Sequence, residues 1–132
     1  MFKKILIGTH GYFGEELLKS AEMIIGKIEN VSVFSLAPTM SFEEYKKSVE
    51  DNLIQTNKYL CLVDLFGGTP CSTFLSLSRD YDLCVLTGLN LPLVIEAISM
   101  LENLNSEDLV DHLLEVYKES GKNATKILSE GR

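Results

Sequence analysis

Four times along this chain a short apolar run gives way to an amphipathic segment, and that alternation constrains the fold more than any other feature. Lys3 to Gly8 is rich in isoleucine and reads as a strand, after which Leu17, Leu18, Ala21, Ile24 and Ile25 recur at helical spacing until Gly26. Val31 to Ser35 is a second strand. Ser41 and Glu44 then stand at capping-box spacing before a helical face of Phe42, Tyr45, Val49 and Leu53. A third strand runs from Tyr59 to Asp64, followed by a Leu65-Phe66-Gly67-Gly68 loop and a helix that Thr69-Pro70 is suited to start. Leu83 to Thr87 repeats the strand signal, Gly88 to Pro92 repeats the loop, and Val94, Ile95, Ile98 and Leu101 continue as a helix. One more amphipathic helix is expected from Ser106 to about Glu119, with Leu109, Leu113 and Val116 inward, and Ala124 to Leu128 is expected to form a short last strand.

Strands with near-continuous apolar character, alternating with helices, imply an α/β, doubly wound, mainly parallel sheet of four βα units with helices on both faces. With strand order 2-1-3-4 the first and third strands are neighbours, and the topological switch point falls between their carboxyl ends. The length of 132 residues suits one domain spanning 1–132.

Composition narrows the function. The basic start Met1-Phe2-Lys3-Lys4 resembles the beginning of a signal peptide, but Gly8, His10 and Gly11 interrupt the apolar stretch at once, so a cytoplasmic chain is expected. No apolar run is long enough to span a bilayer. A net charge of -7, with Arg79 and Arg132 as the arginines, supplies no basic footprint for a phosphate backbone, and nucleic acid is not expected as a partner. Cys61, Cys71 and Cys84 lack the close pairing of a zinc or redox motif and read as reduced structural thiols.

The functional edge of such a sheet is formed by the loops at the carboxyl ends of its strands. His10 follows the first strand and Asp64 ends the third, so the expected order brings them together. A carboxylate on one imidazole nitrogen fixes the tautomer and leaves the other nitrogen as a lone-pair nucleophile. Glycines at 8, 11, 67, 68 and 88 would let backbone N–H groups approach a phosphoryl group, and Thr9, Thr69 and Ser72 could add hydroxyl donors. Taken singly, each has an ordinary structural explanation: a solvated loop histidine, a turn aspartate, a tight glycine connection. His112, on the polar side of its helix, reads as exposed. Gly8, Gly11 and Gly14 have the wrong spacing for a dinucleotide fingerprint, and Val31 to Ser35 offers no acidic residue for a ribose. The P-loop pattern is absent, and Thr9 stands where a histidine phosphatase would carry arginine.

Three stretches together resemble the IIA component of the mannose/fructose-type sugar phosphotransferase system: Ile7-Gly8-Thr9-His10-Gly11 with the Glu15-Glu16-Leu17-Leu18 helix, Leu62 to Pro70, and Gly88-Leu89-Asn90-Leu91-Pro92. The resemblance implies that His10 accepts a phosphoryl group from the carrier protein HPr as a tele-phosphohistidine and passes it to a IIB component, which acts with membrane IIC and IID components. It also implies that Asp64 orients His10, and that Thr9, Gly11, Gly67, Gly68, Thr69 and Ser72 line the phosphate position. No metal or dissociable cofactor is implied. A homodimer is, with a C-terminal antiparallel strand exchanged between partners, for which Ala124 to Leu128 is the candidate.

Two departures stand beside the match, since Ser72 replaces a common asparagine and Cys71 a commonly aromatic residue. Two other functions remain open on the sequence: a phosphotransfer subunit of a dihydroxyacetone kinase system, which usually resembles His-Ser where this chain has His10-Gly11, and a noncatalytic regulatory module.

Overall fold

A computed structural model describes residues 1–131. Four parallel strands, β1 (Lys4–His10), β2 (Val31–Leu36), β3 (Lys58–Val63) and β4 (Asp82–Leu86), form one sheet in the order β2-β1-β3-β4. Helices α1 (Phe13–Ile25), α2 (Phe42–Glu50) and α3 (Gly68–Leu77) make the crossovers, and α4 (Leu91–Met100) and α5 (Ser106–Glu119) follow β4.

The pleat divides the apolar residues between two cores. Ile5, Ile7, Leu60 and Leu62 point to one face and pack with Ala21 of α1, Leu93, Val94 and Ala97 of α4, and Leu109 and Leu113 of α5. Leu6, Tyr59, Cys61 and Val63 point to the other, against Tyr45 and Val49 of α2 and Cys71, Phe74 and Leu77 of α3. Right-handed crossovers account for this arrangement. The chain steps from β1 outward to β2 over one face, then reverses across β1 to β3 and β4 over the other. The reversal leaves a crevice between the carboxyl ends of β1 and β3, as the sequence implied.

Close approach of helices to β1 depends on two glycines. A Cβ at Gly8 would stand 2.5 Å from Phe74 Cε2 and 2.7 Å from the Tyr45 hydroxyl, and one at Gly14 would stand 2.9 Å from Ile7 Cγ2. The Tyr45 hydroxyl, fully buried, donates to the Phe34 carbonyl at 2.8 Å and ties α2 to β2. At the start of α2, Ser41 and Glu44 form the expected capping box. Cys61 and Cys71 are buried free thiols and Cys84 is half-buried. His112 is more engaged than its polar helix face suggested: its Nε2 lies 2.7 Å from Glu96 Oε1 and joins α5 to α4.

The C-terminal segment corrects one expectation. Residues from Ala124 form a helix, α6 (Ala124–Glu130), rather than a strand. Asn123 accounts for the difference, since its side chain accepts the Lys126 N–H at 3.1 Å and starts a helical turn, and Lys126 and Glu130 then stand one turn apart on the same face. Every residue of α6 is exposed, including Ile127 and Leu128. Among the described residues, no helix is long and apolar enough to cross a membrane.

Candidate functional site

The last residue of β1 and the first residue after β3 meet at the switch point. Asp64 Oδ2 accepts the backbone N–H of His10 at 2.9 Å and lies 2.8 Å from His10 Nδ1. Its other oxygen, Oδ1, accepts the Leu65 N–H at 3.1 Å. Both carboxyl oxygens therefore serve as acceptors for backbone donors, and the ring nitrogen facing Oδ2 must carry the proton. In the neutral imidazole, Nε2 then carries the lone pair. Solvent access follows the same division: the His10 side chain is 46% exposed and that of Asp64 only 11%. The imidazole is reachable from solvent and the carboxylate that holds it is shielded.

Nε2 faces the beginning of α3. The Cβ that Gly68 lacks would stand 2.8 Å from His10 Cε1 and 3.0 Å from Nε2, and Gly68 has φ +76°, a conformation costly for other residues. Gly67, at φ +90°, shares that conformation, but none of the described residues comes within 4 Å of its missing Cβ. The two glycines carry the chain from β3 into a helix whose first turn has neither a side-chain cap nor an acidic residue. The first turns of α1, α2 and α5, by contrast, each hold two acidic residues. Uncapped N–H groups at the positive end of α3 thus lie beside an imidazole lone pair, an arrangement suited to a dianionic group bonded at Nε2. The helix starts at Gly68 rather than at the Thr69-Pro70 step, because the left-handed glycines complete the turn first.

The other candidate residues divide between the site and its support. Gly11, with φ +55°, ends β1 by donating its N–H to the Leu36 carbonyl at 2.8 Å and turns the chain toward α1. Thr69 is half-buried and Ser72 exposed in the first turns of α3; neither hydroxyl bonds to His10 or Asp64 among the described residues. Thr9 is fully buried, and its hydroxyl accepts the Gly14 N–H at 2.9 Å, so it is committed to the start of α1 rather than to the open side of His10. Reading the sequence did not reveal this tie or the Leu65 N–H on Asp64; a glycine at 14, inside the first turn of a helix, was the available signal. Exposed apolar side chains follow both residues in the chain, Tyr12 and Phe13 after His10 and Leu65 and Phe66 after Asp64.

Comparison with known proteins bears on the family and the fold. Residues 4–114 match the family model described as EIIA-man, the fructose IIA component of the PTS system. A fructose-specific EIIA component of Bacillus subtilis is 31% identical over 121 residues, covering 88% of this chain and 82% of that protein. The mannose-specific EIIAB component of Escherichia coli K12 is 32% identical over 130 residues; the alignment takes in 94% of this chain but only 39% of that longer protein. Among solved structures, a phosphotransferase system component EIIA from Streptococcus agalactiae superposes with a TM-score of 0.87 at 31% identity, covering 93% of this chain and 98% of that one. A mannose/sorbose-specific IIA subunit from Enterococcus faecalis gives 0.84 at 28% identity, over 93% of this chain and 95% of its own.

Proposed function

Because the chain belongs to the mannose/fructose-type IIA family of the sugar phosphotransferase system, we propose that it is a cytoplasmic phosphocarrier in which residues 1–132 act as one IIA domain and His10 relays a phosphoryl group. One observation carries this reading: Asp64 holds Nδ1 of His10 while Nε2 stays open beside the uncapped start of α3.

The donor is phospho-HPr. The Nε2 lone pair attacks phosphorus, a new N–P bond forms, and the N–P bond to the donor imidazole breaks with its electron pair returning to the donor ring. His10 keeps its proton on Nδ1, so positive charge grows on the ring as the bond forms. Asp64 stabilises that charge through the 2.8 Å contact without taking the phosphoryl group itself. The N–H groups of Gly68 and its neighbours in the first turn of α3, with the Thr69 and Ser72 side chains at their edge, face the equatorial phosphoryl oxygens. Transfer to a IIB component reverses these steps, and sugar choice resides in IIB and the membrane IIC and IID components. The protein works as a homodimer to which the exposed α6 contributes.

A single-turnover chase tests the relay. Phosphoenolpyruvate, Enzyme I and HPr load the chain with labelled phosphoryl group, the donor is removed, and a IIB protein is added. Label should move to IIB within the mixing experiment. Label that enters the chain but never leaves for any IIB would make it a regulatory module instead.

A further inference from the structure

Thr9 precedes the proposed nucleophile, yet its side chain turns away from it. The residue is fully buried. Its Oγ1 accepts the N–H of Gly14 at 2.9 Å and lies 3.4 Å from the Gly11 carbonyl, toward which its proton can be directed. Gly14 is the second residue of α1, and the residue at the N-cap, Tyr12, offers no side-chain cap. Thr9 therefore supplies from the end of β1 the acceptor that a helix start usually obtains from its own cap residue. Gly14 is shaped for this contact, because a Cβ there would stand 3.1 Å from both Oγ1 and Cγ2 of Thr9.

The consequence falls on His10. Between Thr9 and Gly14 the other bonds hold the turn at separate points: the His10 N–H goes to Asp64, the Gly11 N–H to Leu36, and the Tyr12 carbonyl accepts the Glu16 N–H. Thr9 spans that turn from before His10 to beyond Gly11, and its β-branched side chain has restricted rotamer freedom. We infer that Thr9 is a positioning residue for phosphoryl transfer: its hydroxyl clamps the 9–14 turn so that Nδ1 of His10 stays on Asp64 and Nε2 stays presented to α3. The inference rests on the reading of His10 as the phosphoryl acceptor. The hydroxyl acts through the turn and does not touch the phosphoryl group.

The test uses Thr9→Val, which keeps the shape and removes the hydroxyl, and Thr9→Ser, which keeps the hydroxyl. Rapid-quench phosphorylation by phospho-HPr should fall about tenfold in kcat for Thr9→Val, with KM for HPr unchanged, and return to within about twofold of wild type for Thr9→Ser. Long-range proton–nitrogen NMR of unphosphorylated protein should show the Nδ1–H tautomer of His10 dominant in wild type and Thr9→Ser, and mixed tautomers in Thr9→Val. Thermal unfolding reports the folded fraction, to which rates are normalised. A folded Thr9→Val with wild-type kcat and a single tautomer overturns the inference, as does a Thr9→Ser protein as slow as Thr9→Val. A wild-type protein that takes no phosphoryl group on His10 defeats the relay reading, while the tautomer comparison still decides whether Thr9 positions the ring.

Discussion

One oxygen of Asp64, Oδ2, holds His10 twice, by its backbone N–H at 2.9 Å and by its ring Nδ1 at 2.8 Å. The backbone bond fixes where the ring begins and the ring bond fixes how it turns, so a single carboxylate sets both position and tautomer of the imidazole. These two residues lie 54 positions apart in the chain and meet because β1 and β3 are neighbours.

Asp64→Asn should therefore fold normally and transfer slowly. The amide keeps the volume and can still accept the backbone N–H, but it loses the negative charge and can turn an N–H toward the ring. A loss of roughly tenfold to a thousandfold in the rate of phosphorylation by HPr corresponds to about 1.4 to 4 kcal/mol of transition-state stabilisation. Rapid-quench kinetics with circular dichroism as the folding control make the comparison; wild-type rates in both directions would remove Asp64 from the mechanism.

Gly68 and Gly67 separate crowding from strain. Both have positive φ, so alanine at either should cost about 1 kcal/mol of stability in urea denaturation. Only at Gly68 would the new methyl also press on His10, at 2.8 Å from Cε1 and 3.0 Å from Nε2. Phosphorylation of Gly68→Ala should fall at least about tenfold while Gly67→Ala stays near wild type. Equal rates in the two variants would show that the first residue of α3 does not border the phosphoryl position.

The buried phenols predict the alkaline limit of stability. Burial, and then the nearby Asp64, raise the Tyr45 phenol well above its ordinary value of 10.0, and burial pushes Tyr117 up to about 12. A group with a raised folded-state value lends stability that is complete below pH 10 and is lost as pH rises through the folded value. Phenolate absorbance from Tyr45 and Tyr117 should thus appear together with unfolding above about pH 10. The Tyr117 hydroxyl is buried without a hydrogen-bond partner among the described residues, so Tyr117→Phe should be neutral or stabilising by up to about 1 kcal/mol. Destabilisation by more than that would show that the hydroxyl has a partner in solution.

Ile127 and Leu128 are exposed on a helix with no buried residue. Removal of the residues after Gly121 should leave the sheet intact and weaken the proposed homodimer. Sedimentation of both proteins at micromolar concentration decides: an unchanged dimer in the truncated chain, or a monomer in the full one, sets aside a contribution from α6.

The sheet was legible in the sequence because each strand is an apolar run bounded by glycine or a polar turn, and because right-handed crossovers leave few orders for such strands. His10 and Asp64 were legible for the same reason: both stand where a strand ends, and the strand order puts those ends side by side. Thr9 was harder. Its residue type suits a phosphate contact, but the pleat places it on the inward face beside Ile7, and only the packing of α1 on β1 shows that Gly14 claims its hydroxyl. Ala124 to Leu128 departs from the expected strand because five residues of mixed polarity fit both strand and helix periods; the asparagine before them, with its bond to Lys126, decides for helix.

Nε2 of His10 is the proposed phosphoryl acceptor. Its most direct test is intact-mass measurement after incubation with phosphoenolpyruvate, Enzyme I and HPr, joined to proton–nitrogen NMR of the labelled ring. One acid-labile, base-stable phosphoryl group, bonded at Nε2, should appear on the wild-type chain and none on His10→Ala. Full labelling of His10→Ala, which would move the acceptor to His112 or another side chain, or a phosphoryl group on Nδ1 of His10, would contradict it.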